Sequence, residues 1–326
     1  MENAKVYFSD FRTVPFGDGL PVKLKKLIKK AGIGQIDMDG KFVAIKMHFG
    51  ELGNISYLRP NYARAVADVV KELGGEHLEC AWENGFTPLT VGCPVLIGDG
   101  LKGTDDIAVP VVGGEYVKEA KIGRAIMDAD VFISLTHFKG HELTGFGGTI
   151  KNIGMGCGSR AGKKDQHSNG KANIDLELCR GCRKCEKECA NDGLSFDAAG
   201  KKMTVNRMAE YAKAVVDGRP NFHISLVVDV SPNCDCHGEN DAPILPDIGM
   251  FASLDPLALD QACADACLKA QPLPGSQLSD NLTKASFVDH HDHFINSAPE
   301  SEWRTCLEHA EKIGLGTRNY ELIIIK

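Results

Sequence analysis

No apolar run in this chain of 326 residues approaches the roughly 18–20 residues needed to cross a bilayer as a helix, which excludes a helical membrane-spanning protein. The opening MENAKVYFSDF has neither the basic region nor the apolar core of an export leader, so a cytoplasmic home is expected. Positive charge is not in excess: 37 Lys and Arg face 44 Asp and Glu, a net charge of −7. That balance argues against nucleic acid or an anionic membrane as a partner. Repeats, low-complexity tracts and long flexible linkers are missing too. A Walker A loop is absent, and no G-x-G-x-x-G follows a strand in dinucleotide-binding context. What remains is a globular composition, 43% hydrophobic and 25% charged, long enough for about two domains or one large α/β unit.

Apolar runs of strand length alternate with segments of helical period. VYFSD, FVAIKMH (42–48), IAVPVV, VFISLTH (131–137), FHISLVVDV and YELIIIK read as strands. PVKLKKLIKKAG, PNYARAVADVVKELGG, AKIGRAIMDAD, NRMAEYAKAVVDG, DPLALDQACADACLKA and SEWRTCLEHAEKIGLG read as helices, with Pro60 and Pro256 near their starts. The alternation implies an α/β fold, a mostly parallel sheet with helices on both faces.

Twelve cysteines in a chain without a leader read as metal ligands and reduced thiols. Four of them, Cys179, Cys182, Cys185 and Cys189, are spaced C-x2-C-x2-C-x3-C. That is the bacterial ferredoxin spacing for a cubane iron–sulfur cluster. Structural zinc takes two pairs separated by a longer loop. Residues 173–203 are too few to build their own core and read as a half-ferredoxin-like cluster-binding insertion in an α/β body made of residues 1–172 and 204–326. NDGLSFDAAGKKMTV, which follows the run, reads as strand, turn and strand, but no second Cys run succeeds it, and Ala190 stands where ferredoxins usually carry Pro. One 4Fe-4S cluster is therefore expected. In two-cluster ferredoxins the last Cys of such a run serves the other cluster, so the fourth ligand stays open between Cys189, Cys234, Cys236 and Cys157.

Ligands of open α/β sheets bind beyond the carboxyl ends of the strands, and three strands here end in polar groups. One gives Lys46 and His48, the next His137, Lys139 and His141, and the third Asp229 followed by Cys234, Asp235, Cys236 and His237. His suits proton transfer or metal ligation, and Lys suits anion binding. The glycine-rich GFGGTIKNIGMGCGSRAGKK adds Lys151, Asn152, Arg160, Lys163 and Lys164, either as an anion pocket or as a tight turn with solvated bases. Cys263 and Cys267 read as packing thiols, and Asp289 to His293 (DHHDH) as an exposed loop.

Together, KMHFGELGN, RPNYARAVAD, ENGFTPLTVGCPVLIGDG, THFKGHELTGFGGTIKNIGMGCGSRAGK, QHS, the Cys run, CDC, DAPILPDIGMFASLDPLALDQAC and EKIGLGTRNYELI resemble the "domain of unknown function 362" iron–sulfur proteins. The resemblance implies an α/β body with a ferredoxin-type insertion and no settled reaction. Relatives of this kind commonly carry two Cys runs; this chain is similar to a shortened version with one, and its segment between Gly75 and Trp82 is short as well. The function expected is electron transfer between the cluster and a crevice on the α/β body, with a redox protein or a small molecule as partner. The alternatives are Lewis-acid chemistry on a small carboxylate or hydroxy acid, and a non-catalytic binding protein with a structural cluster.

Overall fold

The structure is a computed structural model that describes residues 3–15, 17–41, 43–48, 50, 54, 56–73, 86–100, 102–167, 173–174, 194–195, 198–236, 240–284, 289 and 291–325. The Cys run, His237 and the short segment after Gly75 lie outside them. In chain order the elements are β1 (Ala4–Asp10), α1 (Leu20–Lys30), β2 (Val43–Lys46), α2 (Pro60–Glu72), α3 (Pro88–Val91), β3 (Asp106–Pro110), β4 (Glu119–Gly123), α4 (Arg124–Met127) and β5 (Val131–His137). Next come β6 (Lys139–His141), β7 (Gly145–Gly147), α5 (Thr149–Cys157), α6 (Arg160–His167), β8 (Asn173–Ile174), β9 (Leu194–Ser195) and α7 (Ala198–Val216). The chain continues through β10 (Asn221–Val227), β11 (Gly249–Ser253), α8 (Pro256–Lys269), α9 (Gln277–Leu282), α10 (His293–Ser297), α11 (Trp303–Lys312) and β12 (Tyr320–Ile324).

A six-stranded sheet in the order β12-β1-β11-β10-β5-β2 forms the frame. Its neighbours are parallel except for β11, which runs against both β1 and β10. The period of two along a strand sends alternate side chains to opposite faces. Val131, Ile133 and Leu135 of β5 join Phe222, Ile224 and Leu226 of β10 in a core under α1 and α2. Phe132, Val227 and Phe251 belong to the core on the other face, under α5, α7, α8 and α11. The helices follow from their patterns: α1 buries Leu24, Leu27 and Ile28 on one stripe and turns its lysines outward, while Pro60 sits in the first turn of α2, where no amide donor is missed. Helix α5 crosses α7 so closely that a Cβ on Gly154 would lie 2.0 Å from the Met208 carbonyl oxygen, which only glycine permits.

Several expectations need correction. FVAIKMH does not form a strand buried on both faces: among the described strands β2 is at the sheet edge, and of its residues only Val43 is buried. AKIGRAIMDAD is not one helix, because Ala120 and Ile122 alternate inward on β4, which pairs antiparallel with β3 and leaves only Arg124–Met127 helical. KKMTV lies within α7 and not in a second strand. β11 has no counterpart in the sequence reading; all five of its residues are buried in the middle of the sheet. DHHDH is only partly a loop surface, since Asp292 is fully buried as the cap of α10, accepting from Phe294 N, Ile295 N and Trp303 Nε1.

Candidate functional site

Parallel pairing of β2, β5 and β10 sets their carboxyl ends side by side, and the polar groups that follow those ends converge. The short hairpin of β6 and β7 turns the chain after β5 back over this edge. Gly140 makes the turn possible: its amide donates to the Ser231 carbonyl at 2.8 Å, and a Cβ there would lie 2.4 Å from the Pro232 oxygen. The hairpin is thereby seated on the loop that carries Cys234, Asp235 and Cys236.

Asp235 anchors that loop. It is fully buried, and its Oδ2 accepts from His137 Nδ1 at 2.8 Å and lies 3.2 Å from Lys139 Nζ. Burial alone would raise the carboxyl pKa, but the charges of Lys139 and His137 outweigh it and hold the group well below the usual carboxylate range. The other ring nitrogen of His137 lies 2.7 Å from the Val228 carbonyl oxygen, which can only accept. Both His137 nitrogens therefore carry hydrogen and both are spent on the protein. Lys139 also donates to the His137 carbonyl at 3.1 Å. His137 and Lys139 thus orient Asp235, and Asp235 Oδ1 has no hydrogen-bond partner among the described residues.

The other two histidines are different. His48 Nδ1 accepts from the Gly50 amide at 3.0 Å, and burial beside Lys139 and Lys46 lowers its pKa to about 3. His141 Nδ1 accepts from the Leu143 and Thr144 amides at 3.0 and 3.2 Å, and burial next to Lys151 lowers its pKa as well. Both rings are neutral with the hydrogen on Nε2, so the contact of the Glu142 carboxylate with His141 at 3.6 Å is not one between opposite charges.

Cys234 is fully buried and receives Lys151 Nζ at 2.8 Å and the Cys236 amide at 3.5 Å. The Cys236 thiol hydrogen bond, Lys151, Lys139 and His141 overcome burial and depress its pKa, so Cys234 is the thiolate of the pair. Cys236 is exposed and stays protonated, because it shares its hydrogen with that thiolate. Lys151 feels the reverse: burial works against its charge, and the sulfurs more than restore it. His141, Cys234 and Cys236 present possible ligand atoms within 4.8 Å of one another. Ligating histidines donate their second nitrogen to an acceptor, whereas the second nitrogen of His141 faces two donors. The trio therefore suits a hydrogen-bonded thiolate better than a metal.

Lys46 completes the cluster. Its ammonium donates to Asn152 Oδ1 at 2.8 Å and the Met47 carbonyl at 3.1 Å, with no carboxylate partner among the described residues. Burial and the charges of Lys163, Lys139 and Lys151 lower its pKa to about 8. A Cβ on Gly156 would lie 2.7 Å from Lys46 Nζ, so this glycine leaves room for the lysine. Asn152 is fixed by donating to the Leu135 carbonyl at 3.1 Å and Thr136 Oγ1 at 3.0 Å. The site is thus rich in donors: Lys139, Lys151 and His141 act on the buried Cys234 thiolate, and His48 and Lys46 lie beside Lys139.

The first amides of α5 are not open to an anion. The amides at the start of α5, on Thr149 and Ile150, are taken by Asp260 of α8 at 2.6 and 2.9 Å, and a Cβ on Gly148 would strike that carboxylate. Lys163 donates to the Gly158 carbonyl, while Arg160 and Lys164 are exposed. Cys157 is buried in the core with its pKa pushed up to about 11 by burial, and Cys263, Cys267 and Cys306 are buried too. Asp229 lies past the end of β10 with a left-handed φ of 46°, and its carboxylate is 3.9 Å from Arg59. A cavity of about 490 Å³ between Asp217, Arg219 and Asp255 opens at the opposite end of β10 from these groups.

The model of the domain of unknown function DUF362 matches residues 43–265, which contain the polar cluster beyond β2, β5 and β10. The chain belongs to the DUF362 family. No curated protein matches it. Among solved structures, a Thermotoga maritima protein is similar at 13% identity and a TM-score of 0.39, the match covering 76% of this chain and 57% of that one. This DUF362 chain thus spans less than two thirds of that protein's length. No described helix is long and apolar enough to cross a membrane.

Sequence reasoning reached His48, His137, Lys139, His141, Lys151, Asn152, Cys234 and Cys236, and the structure brings them to one edge. Lys46 and Asp235 were noted at the strand ends but stood outside the candidate site residues. The sign of each was the kind of neighbour it has: a carboxylate between two thiols, and a lysine inside an apolar strand.

Proposed function

We propose that this protein is an iron–sulfur electron-transfer protein. In this reading Cys179, Cys182, Cys185 and Cys189 hold one 4Fe-4S cluster, and the donor-rich crevice beyond β2, β5 and β10 receives the partner molecule. The carrying observation is the C-x2-C-x2-C-x3-C run itself. The described flanks fit it: β8 and β9 pair antiparallel, Asn173 opposite Ser195 and Ile174 opposite Leu194. The described residues on either side of the run are thus paired with each other, as a short cluster-stapled insert requires. Bound there, the cluster supplies one-electron transfer. Lys151 and His141 hold Cys234 as a thiolate in contact with the crevice, Asp235 fixes the loop, and Lys46, Asn152 and His48 bind and orient an anionic partner group.

A second reading, non-redox chemistry on a small carboxylate, draws on Lys46, whose half-buried ammonium has no carboxylate counter-ion among the described residues. An incoming carboxylate or oxyanion would supply one. The test of the first reading is anaerobic spectroscopy of single variants. Broad visible absorption and, after reduction, an Fe4S4 electron-spin signal are expected in the native chain and in Cys234→Ser, and their loss in Cys182→Ala. Retention of both signals in Cys182→Ala removes the run from the account; loss in Cys234→Ser makes Cys234 a ligand.

A further inference from the structure

We propose that Cys234 and Cys236 form a reversible dithiol–disulfide couple that exchanges with low-molecular-weight disulfides. This goes beyond the cluster reading and does not depend on it. Both are free thiols one residue apart, Asp235 and Cys236 lie in a turn, and their sulfurs lie within 4.8 Å of each other. The residue between them is the fully buried Asp235, pinned by His137 and Lys139 from β5 and β6. The fixed middle residue holds both sulfurs within 4.8 Å of each other, and closure brings them to the ~2.05 Å of a disulfide bond. The remaining described cysteines differ in kind. Cys157, Cys263, Cys267 and Cys306 sit in the apolar core and Cys93 is half-buried, all with pKa values raised by burial, whereas Cys234 alone among the described thiols accepts a hydrogen bond from a lysine ammonium. One sulfur is therefore charged and held, and its neighbour is exposed to solvent, which is the division of labour that thiol exchange needs.

The steps balance. Cys236 passes its hydrogen to Cys234 and attacks one sulfur of RS–SR, forming the Cys236–SR mixed disulfide. The RS⁻ expelled takes the proton from Cys234. The Cys234 thiolate, neutralised by Lys151, then attacks Cys236 Sγ and expels the second RS⁻, which is protonated by water. The outcome is one protein disulfide, two RSH and one hydroxide from the thiol–thiolate pair, one RS–SR and one water. The dithiol loses two electrons and the small disulfide gains them.

The experiment equilibrates the anaerobically purified full chain in glutathione buffers of increasing disulfide content, traps free thiols by alkylation and maps them by peptide mass, with labile sulfide measured alongside. Cys234 and Cys236 are expected to lose alkylation together, to regain it with dithiothreitol, and to lose the joint behaviour in Cys236→Ser. Lys151→Met removes a charge-assisted bond to the thiolate, so half-oxidation is expected in a buffer roughly tenfold more reducing. Two thiols that stay alkylatable throughout overturn the couple. So does joint protection reversed by a chelator without reductant, since that marks a metal. Absent labile sulfide with the pair still closing counts against the cluster reading alone.

Discussion

Asp235→Asn is the sharpest test of how the crevice is held. The substitution keeps the shape and removes the charge between His137, 2.8 Å away, and Lys139, 3.2 Å away. All three side chains are at least nine-tenths buried, so solvent cannot compensate. Breaking a buried pair by removing one partner costs about 3–5 kcal/mol, because Lys139 is left charged and unpaired. Urea unfolding at pH 7 should show that loss, and adding Lys139→Met should return about 1–3 kcal/mol of it as coupling. The pH dependence has a fixed sign. The Asp235 carboxyl titrates lower in the fold than in the unfolded chain, so its stabilisation is present above the unfolded value of about 3.9 and is lost as pH falls below it. Native protein and variant should therefore converge in acid. The exposed pair of Lys41 and Asp37 is the control: Asp37→Asn should leave the midpoint unchanged. A loss from Asp235→Asn below about 1 kcal/mol, or an equal acid dependence in both proteins, refutes the anchoring role.

Lys46→Met should not destabilise the fold. With its pKa lowered to about 8, the ammonium opposes folding below that pH, and native stability should rise between about pH 8 and 10.4 by on the order of 2 kcal/mol in the native chain only. Calorimetry of small-carboxylate binding should fall to background in the same variant. Glu210→Gln should cost about 2–4 kcal/mol in urea unfolding, because the carboxylate accepts from the Glu115 and Val117 amides and from His309, at 2.8, 2.7 and 2.8 Å. Gly154→Ala should cost about 3 kcal/mol or more and lower the melting temperature, since α5 and α7 must separate.

The fold was legible where one local pattern had no rival. The stripe of α1, the Pro60 and Pro256 starts of α2 and α8, and the apolar run of β5 all lie where their residues indicate. It was illegible where tertiary pairing decided. Glu119–Gly123 has helix-forming neighbours but is claimed by β3. Gly249–Ser253 is short and begins on glycine, yet two strands flank it. At the site, residue types identified the place but not their work. His137, His48 and His141 look alike in sequence, and only their partners separate the doubly donating anchor from the two neutral donors. The glycine run suggested an anion pocket, but the amides it exposes were filled by Asp260, more than a hundred residues later.

Iron and acid-labile sulfide per chain, measured on anaerobically purified protein, bear most directly on the central claim. About four of each are expected for a single cubane cluster. A colourless chain with one equivalent of zinc and no sulfide would contradict it.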